Sequence, residues 1–318
     1  MAFGFETTGS EIVDAFKDRV AGKTFLITGP TPGGIGAETA SSLAAASPKH
    51  LILAGRSREK IAPLVEQIGR DHAEVRVSFI QLDLGSQKSV RQAVSDVEAT
   101  LGDDQIDVLI LNAAIMACPY ALSEDGIEAQ FATNHLGHFL FSNLLLKAGR
   151  IVSRIVVVSS SASQRSAAAL MPHLKDLSYA QGTTYDPTTA YSVSKACNIL
   201  YAKRLANLLR SRGIATFSLN PGSIKTNLQL YLTEDLRNKA IEAAKRDNPA
   251  FTLPGRKTLQ QGCATQLRAA LDPSLASESG AYLDDCQVKM LPEHADAEAY
   301  MEEVWTISER LVREQFKF

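Results

Sequence analysis

Short apolar runs rich in β-branched residues recur along this chain, near 24–28, 50–54, 75–82, 107–111, 154–159, 214–219 and 281–283. Between them lie stretches with helical periodicity, at 36–46, 57–70, 86–101, 124–147, 190–212, 256–271 and about 295–314. Strands joined by helices pair in parallel through right-handed crossovers. The alternation therefore predicts a Rossmann-type doubly wound parallel sheet of about seven strands with helices on both faces. With 318 residues, 45% of them hydrophobic, the chain can bury one large α/β core without splitting. The expected organisation is an N-terminal extension over 1–21 and a single domain over 22–318. In such sheets ligands bind beyond the carboxyl ends of the strands, so chemistry is expected in the residues that follow them.

After the first run, Lys23 to Thr28, comes Gly29-Pro30-Thr31-Pro32-Gly33-Gly34-Ile35-Gly36 and then an alanine-rich helix. Strand, glycine turn and helix together form a phosphate-binding context, because glycines allow close backbone approach and the helix offers free N–H groups and its positive dipole end. An ordinary Gly/Pro turn is the plainer reading. Pro30 and Pro32 remove two donors from the loop. Downstream, Tyr191 and Lys195 stand four apart at the start of a helical run, one turn from each other. An ammonium beside a phenol favours the phenolate, so the Tyr191 pKa is expected to fall from about 10. That would make Tyr191 a proton donor and acceptor near neutral pH.

These motifs resemble the non-extended short-chain dehydrogenase/reductase family, and within it the retinol dehydrogenase and WW-domain oxidoreductase group with its fungal relatives. The resemblance runs from about Gly22 to the C-terminal helix. The family's T-G-x-x-x-G-x-G has one extra residue here before Gly34-Ile35-Gly36, so a reshaped cradle is expected, lined by Gly29, Thr31, Gly33, Gly34, Ile35 and Gly36. The second strand ends in Gly55-Arg56 with no acid, which favours a 2′-phosphate on Arg56 and hence NADP(H). A surface or helix-capping role is the other reading of Arg56, since Ser57 is a candidate N-cap. The resemblance implies that Asp83 meets the adenine edge with Leu84 beside it. Leu111-Asn112-Ala113-Ala114 resembles the family's N-N-A-G turn, with Leu111 and Ala114 replacing the first Asn and the Gly, and with Asn112 tying strands together before it lines the cofactor.

Asn134-His135-Leu136-Gly137-His138-Phe139 matches N-x-x-G-x-F, whose Asn in this family holds a water linking the lysine to solvent. Matching Val156-Val157-Val158-Ser159-Ser160-Ser161 to I-V-N-V-S-S implies a catalytic Ser160, with Ser159 and Ser161 as the alternatives. Tyr191 and Lys195 then complete a catalytic set of Asn134, Ser160, Tyr191 and Lys195. Pro221-Gly222-Ser223-Ile224-Lys225-Thr226 matches P-G-x-x-x-T, implying that Pro221, Gly222, the Ile224 backbone and Thr226 line the nicotinamide side. His135 and His138 share a helical face but have no acidic or cysteine cluster beside them. They read as core or surface residues, and Cys118, Cys197, Cys263 and Cys286, without C-x-x-C spacing, as packed thiols. No metal is expected.

A net charge of −2 with 21% charged residues gives no reason to expect nucleic-acid binding. No run of about 18 apolar residues predicts a membrane span, and the acidic N-terminus lacks a signal-peptide core, so a cytoplasmic location is expected. Segments 162–189 and 227–256 break the alternation and are expected to wall the substrate, which the Leu228–Leu232 run suggests is hydrophobic or aromatic. The resemblance implies a homodimer or homotetramer pairing through 124–147 and 190–212, with Leu140, Leu144, Leu200 and Leu208 as candidates. The expected activity is NADPH-dependent reduction of a ketone or aldehyde, or the reverse alcohol oxidation, in the manner of a carbonyl reductase, with secondary metabolism as a candidate setting. A dehydratase, isomerase or cyclase on the same scaffold is the alternative, and a non-catalytic cofactor-binding regulator a third.

Overall fold

The computed structural model describes residues 3–318. Its strands are β1 (Thr24–Thr28), β2 (His50–Gly55), β3 (Arg76–Gln81), β4 (Ile106–Leu111), β5 (Ile151–Val158) and β6 (Ala215–Asn220), then the short β7 (Ser223–Ile224), β8 (Arg256–Lys257), β9 (Tyr282–Asp284) and β10 (Gln287–Lys289). Eight of them form one sheet in the order β10-β9-β6-β5-β4-β1-β2-β3. All its pairings are parallel except β9 with β10. That antiparallel hairpin is the eighth strand, beyond the seven expected. Strand order reverses between β1 and β4, the switch point at which a crevice opens past the strand ends.

Helices cover both faces, so the central strands are buried on two sides, and β1 and β2 are buried along their whole length. Alternate residues feed two cores. Leu26, Ile155 and Val157 join one with helices α4 (Gln87–Leu101), α6 (Gly137–Lys147), α8 (Pro187–Leu209) and α11 (Glu298–Val312). Phe25, Ile27, Val156 and Val158 join the other with α1 (Gly9–Ala15), α2 (Ile35–Ala44), α3 (Arg58–Asp71) and α10 (Leu259–Leu271). Within the stretch expected as an extension, α1 starts with a Thr8/Glu11 capping box and buries Ile12 and Val13 in that second core.

The single helix expected over 124–147 is corrected. Leu122 and Glu128 form an antiparallel bridge, and helix begins only at α5 (Ala129–Phe131), where the Glu128 carboxylate accepts from the amides of Gln130 and Phe131. A π-helical turn, Ala132–Leu136, follows before α6. Leu140 and Leu200 are fully buried in the monomer's own core, which removes them as association residues; Leu144 and Leu208 are partly exposed. All four cysteines are buried free thiols. Among the described residues no helix is long and apolar enough to cross a membrane.

Of the two segments outside the alternation, the first folds into short helical turns, including α7 (Ala167–Leu170). The second carries α9 (Glu234–Asp247), none of whose residues is buried. Its base is clamped where β7 and β8 pair in parallel, Ile224 opposite Lys257. The Lys257 ammonium is paired with Asp285 at 2.7 Å. Arg165 of the first segment reaches Asp247 at the end of α9 at 2.9 Å.

Candidate active site

The glycine loop runs from the end of β1 to the start of α2, and two of its glycines are required by space. A Cβ at Gly36 would stand 2.4 Å from Asn112 Nδ2, and one at Gly29, whose φ is +69°, would stand 2.8 Å from Ala113 Cα. The loop thus lies hard against the Asn112-Ala113-Ala114 turn that ends β4. Asn112 locks the two together by donating from Nδ2 to the carbonyls of Thr28 at 2.9 Å and Gly29 at 3.3 Å, the strand-tying role expected of it. Gly34 occupies the N-cap of α2 and supplies no side-chain cap, which leaves the first amides of that helix for an external acceptor. Thr31 accepts the Gly34 amide on its carbonyl, so the extra residue is absorbed in a tight turn before Gly34.

Arg56 is exposed just past β2, while Ser57 caps α3 through the Lys60 amide at 3.2 Å. The capping role therefore belongs to the serine. A Cβ at Gly55 would meet Ile61 Cδ1 at 2.7 Å, a contact that the end of the isoleucine side chain would have to yield. The Asp83 carboxylate accepts the Gly85 amide at 2.9 Å. Leu84 is buried in the core and so faces away from solvent. Thr226 caps the turn Asn227–Gln229 through the Leu228 amide, and the Ile224 carbonyl accepts from Gln229 Nε2 at 3.1 Å.

The three serines after β5 do different things. Ser159 donates to the Lys195 carbonyl at 2.6 Å and is buried, fastening the strand to α8. The Ser161 amide donates to Asn220 Oδ1 at 3.1 Å. Ser160 alone among them has a hydroxyl near enough to the Tyr191 side chain to favour its phenolate, and it also accepts the Ala162 amide at 3.2 Å. The expected lowering of the Tyr191 pKa is corrected: burial pushes it up to about 12, only partly offset by the Ser160 hydroxyl. Lys195 does not offset this rise. Its ammonium donates to the Val158 carbonyl at 3.0 Å and lies 5.8 Å from the Tyr191 ring centroid. Being buried itself, it is held down to about 7. Desolvation outweighs the charge effect read from the four-residue spacing.

Asn134 sits in the π-turn, fully buried, and spends its side chain on Ile115 and Ser194. Its Oδ1 accepts the Ile115 amide at 2.8 Å, and its Nδ2 donates to the Ile115 carbonyl at 2.9 Å and to Ser194 Oγ at 3.0 Å. π-turns of this kind concentrate at functional sites. Its main-chain carbonyl accepts from His138 Nδ1 and Asn198 Nδ2, both at 3.1 Å. Thr28, His138, His135, Asn198 and Ser194 thus surround the expected set without having been singled out for it. Burial holds His138 down to about 3 and His135 to about 4, so both are neutral hydrogen-bonding groups.

These residues fit a dinucleotide cofactor on their own terms. Besides the uncapped α2 and the exposed Arg56, the buried Asn112 Oδ1 has no hydrogen-bond partner among the described residues. Comparison with known proteins agrees. Residues 23–172 match the short chain dehydrogenase family. Retinol dehydrogenase 14 of Mus musculus is 34% identical over 306 residues, covering 92% of this chain and 86% of that protein. Short-chain dehydrogenase TIC 32 B, chloroplastic, of Brassica napus is 35% identical over 300 residues, covering 91% and 88%. Among solved structures, an uncharacterised protein from Mycobacterium paratuberculosis is 31% identical with a TM-score of 0.67, over 94% of this chain and 96% of its own.

Proposed function

The chain belongs to the short-chain dehydrogenase/reductase family of oxidoreductases, and from that premise we propose that it reduces a ketone or aldehyde with NADPH. The observation that carries this reading is the buried Tyr191 phenol, held near 12, with the Ser160 hydroxyl and the Lys195 ammonium beside it. A phenol with that pKa stays protonated at neutral pH and is a proton donor, the role carbonyl reduction requires. NADPH, when bound, supplies the hydride to the carbonyl carbon. Tyr191 gives its proton to the carbonyl oxygen, and the Ser160 hydroxyl steadies the negative charge building on that oxygen. Lys195 holds the nicotinamide ribose, and its ammonium favours the phenolate left after proton transfer. The turn Gly29 to Gly36 and the N-terminus of α2 would hold the pyrophosphate, Arg56 the 2′-phosphate, Asp83 the adenine edge, and Pro221, Gly222, Ile224 and Thr226 the nicotinamide side. NADPH consumption against a panel of aromatic ketones, with the alcohols identified, tests the reading; cofactor consumption without alcohol formation overturns it.

Arg56 sets cofactor choice. Losing a charge-assisted bond to phosphate costs about 1.5–3 kcal/mol, roughly ten- to a hundredfold in affinity. NADPH should bind the wild type more tightly than NADH by that margin, and Arg56→Ala should erase the gap. Fluorescence titration of both cofactors decides it, and equal wild-type affinities would refute the assignment.

The pH dependence follows from Lys195. With its pKa held down to about 7, the ammonium is present below that value and lost as pH rises through it. Tyr191 stays protonated to about 12, and His138, held near 3, stays neutral, so neither titrates in that window. The kcat/KM for NADPH should therefore fall as pH increases from 6 to 9, and the fall should vanish in Lys195→Met. A wild-type profile flat over that range would remove Lys195 from cofactor capture.

A further inference from the structure

Two chains of hydrogen-bond donors converge on the main-chain carbonyl of Asn134. In the first, the amides of Asn112 and Ala113 donate to Thr28 Oγ1 at 2.9 and 3.1 Å. Thr28 is bonded to His138 Nε2 at 2.9 Å, and His138 Nδ1 to the Asn134 carbonyl at 3.1 Å. In the second, Ser308 Oγ is bonded to His135 Nε2 at 2.9 Å, and His135 Nδ1 to Asn198 Oδ1 at 3.2 Å. Asn198 Nδ2 then reaches two carbonyls, those of Asn134 at 3.1 Å and Val158 at 3.2 Å.

Carbonyls only accept, so the direction of the second chain is fixed. Asn198 turns its NH2 to the two carbonyls and its oxygen to His135, whose proton therefore sits on Nδ1; the single Ser308 hydroxyl proton is shared between His135 Nε2 and the Val304 carbonyl at 2.7 Å. The amide of Asn198, 1% exposed, has both N–H bonds and its oxygen engaged. The Val158 carbonyl is also the acceptor of the Lys195 ammonium at 3.0 Å.

We propose that Asn198 is a positioning residue for the Tyr191–Lys195 pair, clamping the carbonyl on which Lys195 rests to the carbonyl of Asn134. The proposal rests on the roles given above to Tyr191 and Lys195. Removing the clamp leaves the Asn134 carbonyl to His138 and the Val158 carbonyl to Lys195, with no side chain joining the two, and a shift of about 1 Å at a reacting group costs around a hundredfold in rate. Asn198 touches no substrate, so binding of the carbonyl compound should be spared.

The test uses purified full-length Asn198→Ala with NADPH and phenanthrenequinone as the carbonyl probe, and NADPH fluorescence for cofactor affinity. The expected result is a kcat lowered about 30- to 100-fold, a probe KM within threefold of wild type, and NADPH bound severalfold more weakly. A folded Asn198→Ala with kcat and NADPH affinity within twofold of wild type would overturn the proposal. Should Asn198→Ala not fold, His135→Phe decides. It keeps a ring against Phe131 and Tyr201 and deletes the N–H that orients Asn198 together with the Nε2 contact to Ser308. NADPH affinity or kcat reduced at unchanged Tm supports the clamp, and wild-type values for both overturn it. Tyr191→Phe run alongside separates the two readings. If it is inactive while Asn198→Ala is fully active, the clamp alone falls; if it is active, the proton-donor reading falls and the clamp with it.

Discussion

Tyr191→Phe is expected to fold, bind NADPH and lose most of its turnover. The substitution removes one hydroxyl from a side chain that is 6% exposed, and the ring keeps its packing. Its neighbour Ser160 keeps the Ala162 amide, so the stability cost is at most that of one net hydrogen bond, about 1 kcal/mol. The rate is another matter. A positioned general acid contributes about a hundred- to ten-thousandfold, and here the other partner of Ser160's hydroxyl is the Ala162 amide, which is no acid at neutral pH. The measurement is kcat for NADPH oxidation on a ketone that the wild type reduces, with thermal unfolding and NADPH fluorescence as controls. A variant that binds NADPH normally and keeps near-wild-type kcat would exclude the proton-donor role and bring forward a non-redox reaction on this scaffold.

The second large effect concerns packing beneath the π-turn. Gly137→Ala would be stabilising on helix propensity alone, by about 1 kcal/mol. The surroundings reverse that sign. A Cβ on Gly137 would stand 2.2 Å from the Leu84 carbonyl oxygen and 2.9 Å from its carbonyl carbon, backbone atoms that no rotamer change can move aside. Overpacking of a tight core costs about 1–3 kcal/mol and occasionally more, and contact with backbone belongs at the upper end. A net loss of about 2 kcal/mol, read as a Tm lower by several degrees, is the expected outcome in a thermal melt. Because Asn134 and Asp83 flank the contact, NADPH affinity should fall as well. An unchanged or raised Tm would show that the helix and the 82–85 turn can separate freely.

The sheet was legible because its strands are buried on both faces. Runs such as Phe25-Leu26-Ile27 and Val156-Val157-Val158 need no alternation, and their β-branched content marks them against the longer helical periods. The helix expected over 124–147 misled for a related reason: Ile127 and Phe131, four apart, suit a continuous helix, while Leu122 and Glu128 are bridged and the five-residue step from Phe131 to Leu136 spans the π-turn at Ala132–Leu136. The seven-residue α1 was too short for periodicity, although Thr8 and Glu11 carry the capping-box spacing. Ser160 was legible by alignment to a motif, and the division of labour among Ser159, Ser160 and Ser161 only in three dimensions. The direction of the Tyr191 shift was not legible at all. Spacing reports that Lys195 is near, but burial decides what nearness does, and burial is a property of the assembled core. His138 and Asn198 escaped for the same reason, since their partners Thr28 and Val158 lie on strands far away in sequence.

The clamped segment between β7 and β8 has a kinetic consequence. With its two ends fixed side by side at Ile224 and Lys257 and no residue of α9 buried, it can come away as a unit without disturbing the sheet. What resists this from the opposite wall is Arg165 against Asp247, an ion pair with about a fifth of each side chain exposed, and such partly solvated pairs hold weakly. Local openings of this kind cost far less than global unfolding. Backbone amides of α9 should thus exchange with deuterated water long before those of β1 or β4. On the proposed reduction, lifting of this flap is expected to be the step that releases product, and its time would then cap turnover at a ceiling that no improvement in the proton donor could raise.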